Sequence, residues 1–137
     1  MRKIILCLLF SLIPMFMNAQ HATPEQWNKL IRAIEYHESK GNAHARSRNG
    51  TYVGVLQIST VCVNAANKIV GHKKYTYNDR LSCEKSYEIF NVIQNKYNPK
   101  HDICLAVRLW GAGIVALKNK NVGMRAYREI MDIYNKL

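Results

Sequence analysis

The sequence predicts an α+β fold that is predominantly α-helical, with one small β-hairpin element. Two observations carry this prediction. Apolar side chains recur at helical spacing in several segments that are separated by turn-forming residues. One short stretch, residues 51–58, instead has β-prone character, with Gly54 between two apolar runs. A chain of 137 residues is long enough for one such domain and too short for a large barrel.

The first helix has a clear start and a clear end. Thr23 is a preferred N-cap residue, Pro24 suits the first helical position, and Gln26 completes a capping box. Gly41 and the asparagine after it end the helix. Glu38 therefore falls in the last turn, at the edge that faces the core. The apolar stripe of this helix consists of Trp27, Leu30, Ile31 and Ile34.

The rest of the chain continues the helical pattern. Asn98-Pro99 is a strong stop after one helix, and the segment that follows is apolar on nearly every side, as in a buried central helix. The expected elements are a weakly apolar helix over 60–70, a polar loop over 71–79, helices over 84–97 and 103–117, and a last amphipathic helix over 127–134.

The N-terminal segment resembles a secretory leader. Met-Arg-Lys is followed by an apolar run from Ile4 to Met17 and then by Asn18-Ala19. The run of about 14 residues is shorter than the roughly 20 that span a bilayer. We therefore predict a signal peptide over 1–19, a single domain over 20–137, and no stable membrane insertion after cleavage. The protein is expected to be periplasmic or secreted.

The charge balance predicts an anionic partner. The chain has 20 Lys and Arg against nine Asp and Glu, for a net charge of +11. Removal of the predicted leader leaves 118 residues and a net charge of +9. Export and the absence of a nucleic-acid-binding motif argue against nucleic acid, so an acidic glycan fits better. We expect a monomer.

The cysteines and histidines do not form a metal-binding motif. Three cysteines remain after the leader (Cys62, Cys83 and Cys104), and their spacing excludes a CxxC motif. In an oxidising compartment one pair is expected to bridge and one cysteine to stay free, and the sequence leaves the pairing open. His37-Glu38 begins like the zinc motif HExxH, but Gly41 stands where the second histidine belongs. We predict no metal and no cofactor.

Glu38 is the strongest candidate for acid–base chemistry. A carboxyl on the apolar edge of a helix, near its C-terminal end, is disfavoured in its charged form by desolvation and by the helix dipole. A protonated carboxylic acid is what cleavage of a glycosidic bond requires. From position alone, a structural glutamate that turns to solvent or pairs with an arginine is the more common outcome.

The residues around Glu38 change this balance, because they resemble the lytic transglycosylases of the soluble (SLT) type. That family carries Glu-Ser, then Asn-Pro-x-Ala-x-Ser, then Gly-Leu-Met-Gln, on a lysozyme-like fold. Here Ala43 replaces the proline and Val55-Leu56 replaces Leu-Met. The matching residues are Glu38-Ser39, Asn42, Ala45, Ser47, Gly54 and Gln57.

Two later segments extend the resemblance, which covers about residues 28–117. Leu81-Ser82-Cys83 is similar to a stretch of the small branch associated with secretion, conjugation and invasion systems. The segment 109–113 corresponds to the Ala-Tyr-Asn-x-Gly of the family, with Trp110 and Gly111 in place of Tyr and Asn. This difference leaves open whether Tyr52, Tyr75 or Tyr87 supplies a hydroxyl near Glu38.

The resemblance implies a role for each matching residue. Glu38 would be the single catalytic acid and base. The implied substrate-binding residues are Ser39, Gly54, Leu56, Gln57 and Trp110. In particular, Gly54 would allow close approach of the glycan and Gln57 would hydrogen-bond it.

The implied reaction is cleavage of the β-1,4 bond between N-acetylmuramic acid and N-acetylglucosamine in peptidoglycan, with formation of a 1,6-anhydro product. The implied partners are the glycan strands and an envelope-spanning secretion or conjugation assembly. Two alternatives remain. One is a lysozyme-type hydrolase in which Asp79 or Glu84 activates water. The other is a non-catalytic peptidoglycan-binding module of an envelope machine, which the altered Trp110-Gly111 motif favours.

Overall fold

The computed structural model describes residues 21–137, and within this range the protein is mostly helical, as predicted. The predicted signal peptide lies outside the described residues. None of the helices in residues 21–137 is both long and apolar enough to cross a bilayer. The helices are α1 (Pro24–Ser39), α2 (Thr60–Val70), α3 (Cys83–Tyr97), α4 (Ile103–Ala112) and α5 (Met124–Tyr134), with short 3₁₀ helices over Tyr77–Leu81 and Gly113–Leu117.

Helix α1 begins and ends where local sequence signals place it. The Thr23 hydroxyl accepts from the Gln26 backbone N–H at 3.1 Å, and the Gln26 side chain accepts from the Thr23 N–H at 2.9 Å. The helix stops because Lys40 and Gly41 both adopt left-handed backbone conformations, with φ of 56° and 80°. The prediction of this capped helix is confirmed.

The β-prone stretch folds as an irregular loop, so the predicted hairpin is not confirmed. Residues 21–137 contain isolated antiparallel bridges, Arg46 with Val53 and Val53 with Ile58, and no extended strand. Gly54 and Gln57, with φ of 85° and 50°, reverse the chain before a ladder can extend. The loop packs inward instead, because Val53, Val55, Leu56 and Ile58 are all buried.

The predicted helix over 103–117 is shorter than expected. Helix α4 ends at Ala112 because Gly113 leaves the helical region, with φ of 73°. The apolar residues that follow do not form a buried helix: Ala116 is buried, whereas Ile114, Val115 and Leu117 are exposed. An apolar composition therefore does not by itself indicate that a segment continues as a buried helix.

A buried arginine holds the segment after α4. Arg108 donates to the carbonyls of Ala116, Asn119 and Val122 at 2.8, 2.5 and 2.8 Å. These bonds satisfy a guanidinium that would otherwise be costly to bury. They fix the chain between α4 and α5, although none of these residues lines the candidate site.

The helices pack in two groups that share one apolar core. Helix α1 packs against α5, α2 packs against α3, and α4 contacts both α5 and α1. The core includes the α1 stripe, the buried side of the irregular loop and the inner faces of α3 and α4. The last turn of α1 is thereby set beside the loop over 54–58 and the end of α4.

Candidate active site

Glu38 lines a cavity of about 300 Å³ where the end of α1, the irregular loop, α2 and α4 meet. Of the residues that surround this cavity in the described part of the chain, Glu38 is the one carboxylate. Its side chain is 27% exposed, so it is neither fully buried nor turned away into solvent. The lining residues are Glu38, Tyr52, Leu56, Gln57, Ile58, Ser59, Cys62, Trp110 and Gly111.

Two larger cavities lie elsewhere. One, of about 760 Å³, follows the far end of α2 and the loop to Tyr77, and the other, of about 560 Å³, lies beside Pro99 and Leu117. Neither is lined by Glu38 or by any of the implied substrate-binding residues, although Tyr75, one of the three candidate tyrosines, borders the first. Chemistry rather than size therefore identifies the cavity at Glu38 as the candidate active site.

Ser39 connects the end of α1 to the loop. Its hydroxyl donates to the Val55 carbonyl at 2.8 Å and also lies 3.2 Å from the Glu35 carbonyl. Ser39 does not line the cavity. Its visible effect is to hold the backbone next to Glu38 against the loop that forms the opposite wall.

Gly54 has a different role from the one that the resemblance implied. It is buried, and a Cβ added there would lie 1.7 Å from the carbonyl oxygen of Arg80. The backbone that approaches this glycine closely is the protein's own, so the expectation of close approach by a glycan is corrected. Gly54 lets the loop pack against residue 80 and thereby shapes the cavity indirectly.

Leu56 and Gln57, which the resemblance implied as substrate-binding residues, both line the cavity. The Gln57 amide nitrogen donates to the carbonyls of Gly54 at 2.8 Å and Ala45 at 3.3 Å. No group in residues 21–137 donates to its amide oxygen, which leaves that oxygen as the acceptor available to a ligand. Leu56 is fully buried and contributes an apolar wall.

Trp110 also reaches the cavity, from the end of α4. Its indole N–H donates to the Leu56 carbonyl at 3.3 Å, and its ring meets Phe90 edge-on with centroids 5.0 Å apart. The indole donor is therefore already used within the protein. Trp110 can offer a ligand its ring surface, and Gly111 beside it adds no side chain.

Tyr52 is the tyrosine that shares the cavity with Glu38. The Tyr75 ring is buried and its hydroxyl donates to Glu88 at 3.3 Å, while the Tyr87 hydroxyl donates to Glu35. Burial is the largest cause that raises the pKa of the Tyr87 hydroxyl, and the hydrogen bond to Glu35 raises it further. Of the three candidates that the sequence left open, Tyr52 is thus the one placed to supply a hydroxyl.

The other carboxylates that the sequence brought forward lie away from the cavity. Asp79 accepts from the Thr76 backbone N–H at 2.6 Å and from its hydroxyl at 3.0 Å, so it caps the 3₁₀ helix. Glu84 is exposed in the first turn of α3. Glu35 is engaged by Tyr87. None of the three lines the cavity beside Glu38.

The expected disulfide does not form among the described residues. Cys62, Cys83 and Cys104 are all free thiols, and they lie on three different helices. Cys62 lines the candidate site, and burial raises its pKa to about 12. A thiol held in its neutral form is a poor nucleophile and acts here as part of the apolar wall. The sequence pattern gave no signal for this placement.

The comparison with known families agrees with this geometry. The family model described as Transglycosylase SLT domain matches residues 15–131, which is most of the chain. Comparisons with curated proteins and with solved structures gave no match. The family match is consistent with the mostly helical architecture of residues 21–137. The chain therefore belongs to the SLT transglycosylase family, the soluble lytic transglycosylases of the lysozyme-like superfamily.

Proposed function

We propose that this protein cleaves the β-1,4 bond between N-acetylmuramic acid and N-acetylglucosamine in peptidoglycan and leaves a 1,6-anhydro product. The observation that carries the proposal is that Glu38 is the one carboxylate among residues 21–137 that lines the cavity. Most hydrolases that retain or invert the sugar use a second carboxyl about 5–9.5 Å from the first. Asp79 and Glu84 are the candidates for that second group. Asp79 caps the first 3₁₀ helix and Glu84 is exposed on α3, so neither lines the cavity.

The reaction runs with one group that changes its proton state twice. The Glu38 carboxylic acid gives its proton to the glycosidic oxygen, and the bond to the muramic acid C1 breaks. The 2-acetamido group of the substrate stabilises the positive centre. The Glu38 carboxylate then takes the proton of the C6 hydroxyl, whose oxygen bonds to C1 and closes the anhydro ring. Glu38 recovers its proton, and no water is consumed.

The proposed setting is the cell envelope. A net charge of +9 on the mature chain would attract the lactyl and stem-peptide carboxylates of peptidoglycan. We further propose that the protein acts as a monomer outside the cytoplasm after cleavage of residues 1–19. Its partner there would be an envelope-spanning secretion or conjugation assembly that places it on the wall.

The product of the wild-type enzyme tests this proposal directly. Purified sacculi digested with the enzyme and analysed by mass spectrometry should release muropeptides that end in 1,6-anhydro-muramic acid. Each is lighter by one water than the corresponding product of a hydrolase. Reducing ends would instead identify a hydrolase. Binding to sacculi without any release would identify a non-catalytic module, and either result would overturn the proposal.

The Tyr52 hydroxyl is expected to contribute to the reaction. Tyr52→Phe should lower kcat/KM by about five-fold, because a hydrogen bond to a bound sugar contributes roughly 1 kcal/mol. The matched control is Tyr77→Phe, since Tyr77 has the same exposed fraction, 49%, and lies outside this cavity. Rates of release of soluble muropeptides would measure both. Equal rates for the two variants would remove Tyr52 from the site.

A further inference from the structure

His37 lies between two carboxylates that come from different helices. Its Nδ1 is 3.3 Å from Oε1 of Glu38, and its Nε2 is 3.0 Å from Oε2 of Glu129 on α5. The second oxygen of Glu129 accepts from Arg125 Nε at 2.9 Å. The candidate acid is thus the first member of a chain of side chains that crosses from α1 to α5.

The outer end of this chain stays charged. The hydrogen bond with His37, and then the one from Arg125, hold the pKa of the Glu129 carboxyl below its usual range. An ionised carboxylate can only accept a hydrogen bond, so the imidazole nitrogen that faces it must carry a proton. Glu129 therefore selects the ring form in which Nε2 is the donor.

The nitrogen that faces Glu38 can then serve the acid in both of its forms. In the ring form that also carries a proton on Nδ1, this nitrogen donates to Oε1 of Glu38. Oε1 can accept that bond both as part of the carboxylate and as the carbonyl oxygen of the carboxylic acid, so the acidic proton stays on the other oxygen. The ring keeps its protons throughout, and Glu38 alone gives and takes back the proton of the proposed reaction.

We propose that His37 is a positioning residue for Glu38, and that Glu129 on α5 orients His37. The inference rests on the proposed function, since it concerns the orientation of the same acid. One carboxyl oxygen of Glu38 is held by the ring, which restricts the rotation of the carboxyl group. The other oxygen is thereby left to face the substrate. Misplacement of a reacting group by about 1 Å can lower a rate by about 100-fold.

Two amide substitutions at position 37 separate the two contacts. The amide nitrogen of an asparagine lies near the place of Nδ1, and that of a glutamine near the place of Nε2. His37→Gln is expected to keep the contact with Glu129, lose the contact with Glu38, and lower kcat by about 10-fold with KM little changed. His37→Asn can still reach Glu38 and should lose less activity than His37→Gln.

The surface partner gives a second test that does not touch the ring. Glu129 is 45% exposed, so Glu129→Ala should leave the fold intact. It is expected to lower kcat by about three-fold, because the ring loses its orientation but stays in place. The matched control is Asp132→Asn, which removes an exposed carboxylate from the same helix and should leave kcat unchanged.

The outcomes distinguish a positioning role from the alternatives. Unchanged kcat in both His37→Gln and Glu129→Ala would overturn the inference while leaving the proposed function standing. Equal losses in His37→Gln and His37→Asn, together with a lowered Tm in both, would show that the ring only supports the fold. If Glu38→Gln retained full activity, the proposed function itself would fail, whatever the variants at position 37 did.

Discussion

Replacing Glu38 by glutamine is expected to abolish lytic activity, lowering kcat by at least about 1,000-fold. General acid–base catalysis contributes about 100- to 10,000-fold, and in the proposed reaction one side chain supplies both the acid and the base. Glutamine keeps the size and the hydrogen-bonding shape of the carboxyl but has no proton to give to the glycosidic oxygen. The release of soluble muropeptides from sacculi, followed over hours, would measure the residual rate.

The fold should survive this change, which makes the result interpretable. Glu38 lies partly exposed at a cavity and outside the apolar core, so Tm is expected to remain close to that of the wild type. Glu35→Gln is the matched control, because Glu35 lies three residues earlier on the same helix and is engaged by Tyr87. Activity should persist in that variant. Loss of activity in Glu35→Gln and its retention in Glu38→Gln would assign the acid to Glu35.

Gly54→Ala is expected to have the largest effect on stability, lowering the free energy of unfolding by about 3 kcal/mol or more. Two costs add. The new Cβ would lie 1.7 Å from the Arg80 carbonyl oxygen, a backbone atom that cannot swing aside. The residue would also keep a φ of 85°, which side chains other than glycine rarely adopt. Urea denaturation followed by circular dichroism would measure the loss.

Gly50→Ala separates the two costs. Gly50 lies in the same loop with a φ of 73°, but a Cβ there would meet nothing within 4 Å. This variant should lose only about 1 kcal/mol, the cost of the left-handed conformation. The difference between the two variants then measures the clash with residue 80. Equal losses would mean that the loop moves away from Arg80 at little cost.

Helix α1 shows what the sequence alone could predict. Its capping box, its proline and its apolar stripe involve residues three or four positions apart, so they act within one or two turns. The same short-range pattern placed Glu38 in the last turn. The resemblance implied that Leu56, Gln57 and Trp110 bind the substrate, and in the structure all three line the cavity with Glu38.

The predictions that were not confirmed depend on the backbone conformation of single residues and on contacts between distant parts of the chain. The β-prone residues 51–58 form no hairpin because Gly54 and Gln57 reverse the chain, and the loop that results packs Gly54 against residue 80, 26 positions further along the chain. Helix α4 ends at Ala112 because the backbone of Gly113 has a φ of 73°. Crowding is not the cause, since a Cβ added at Gly113 would meet no atom within 4 Å. The choice of Tyr52 over Tyr75 and Tyr87 also depends on partners, since Glu88 and Glu35 engage the other two hydroxyls.

By itself, then, the sequence determined the helical class of this protein, the start and end of its first helix, and the place of Glu38, the proposed acid, in the last turn of that helix. Those features follow from short-range periodicity, capping and motif. Only the tertiary structure decided three further features: within residues 21–137, Glu38 has no second carboxylate at its cavity; Gly54 accommodates the backbone of Arg80; and His37 connects Glu38 to Glu129. These contacts join residues as many as 92 positions apart. In that case the packing of α1 against α5 brings His37 and Glu129 together.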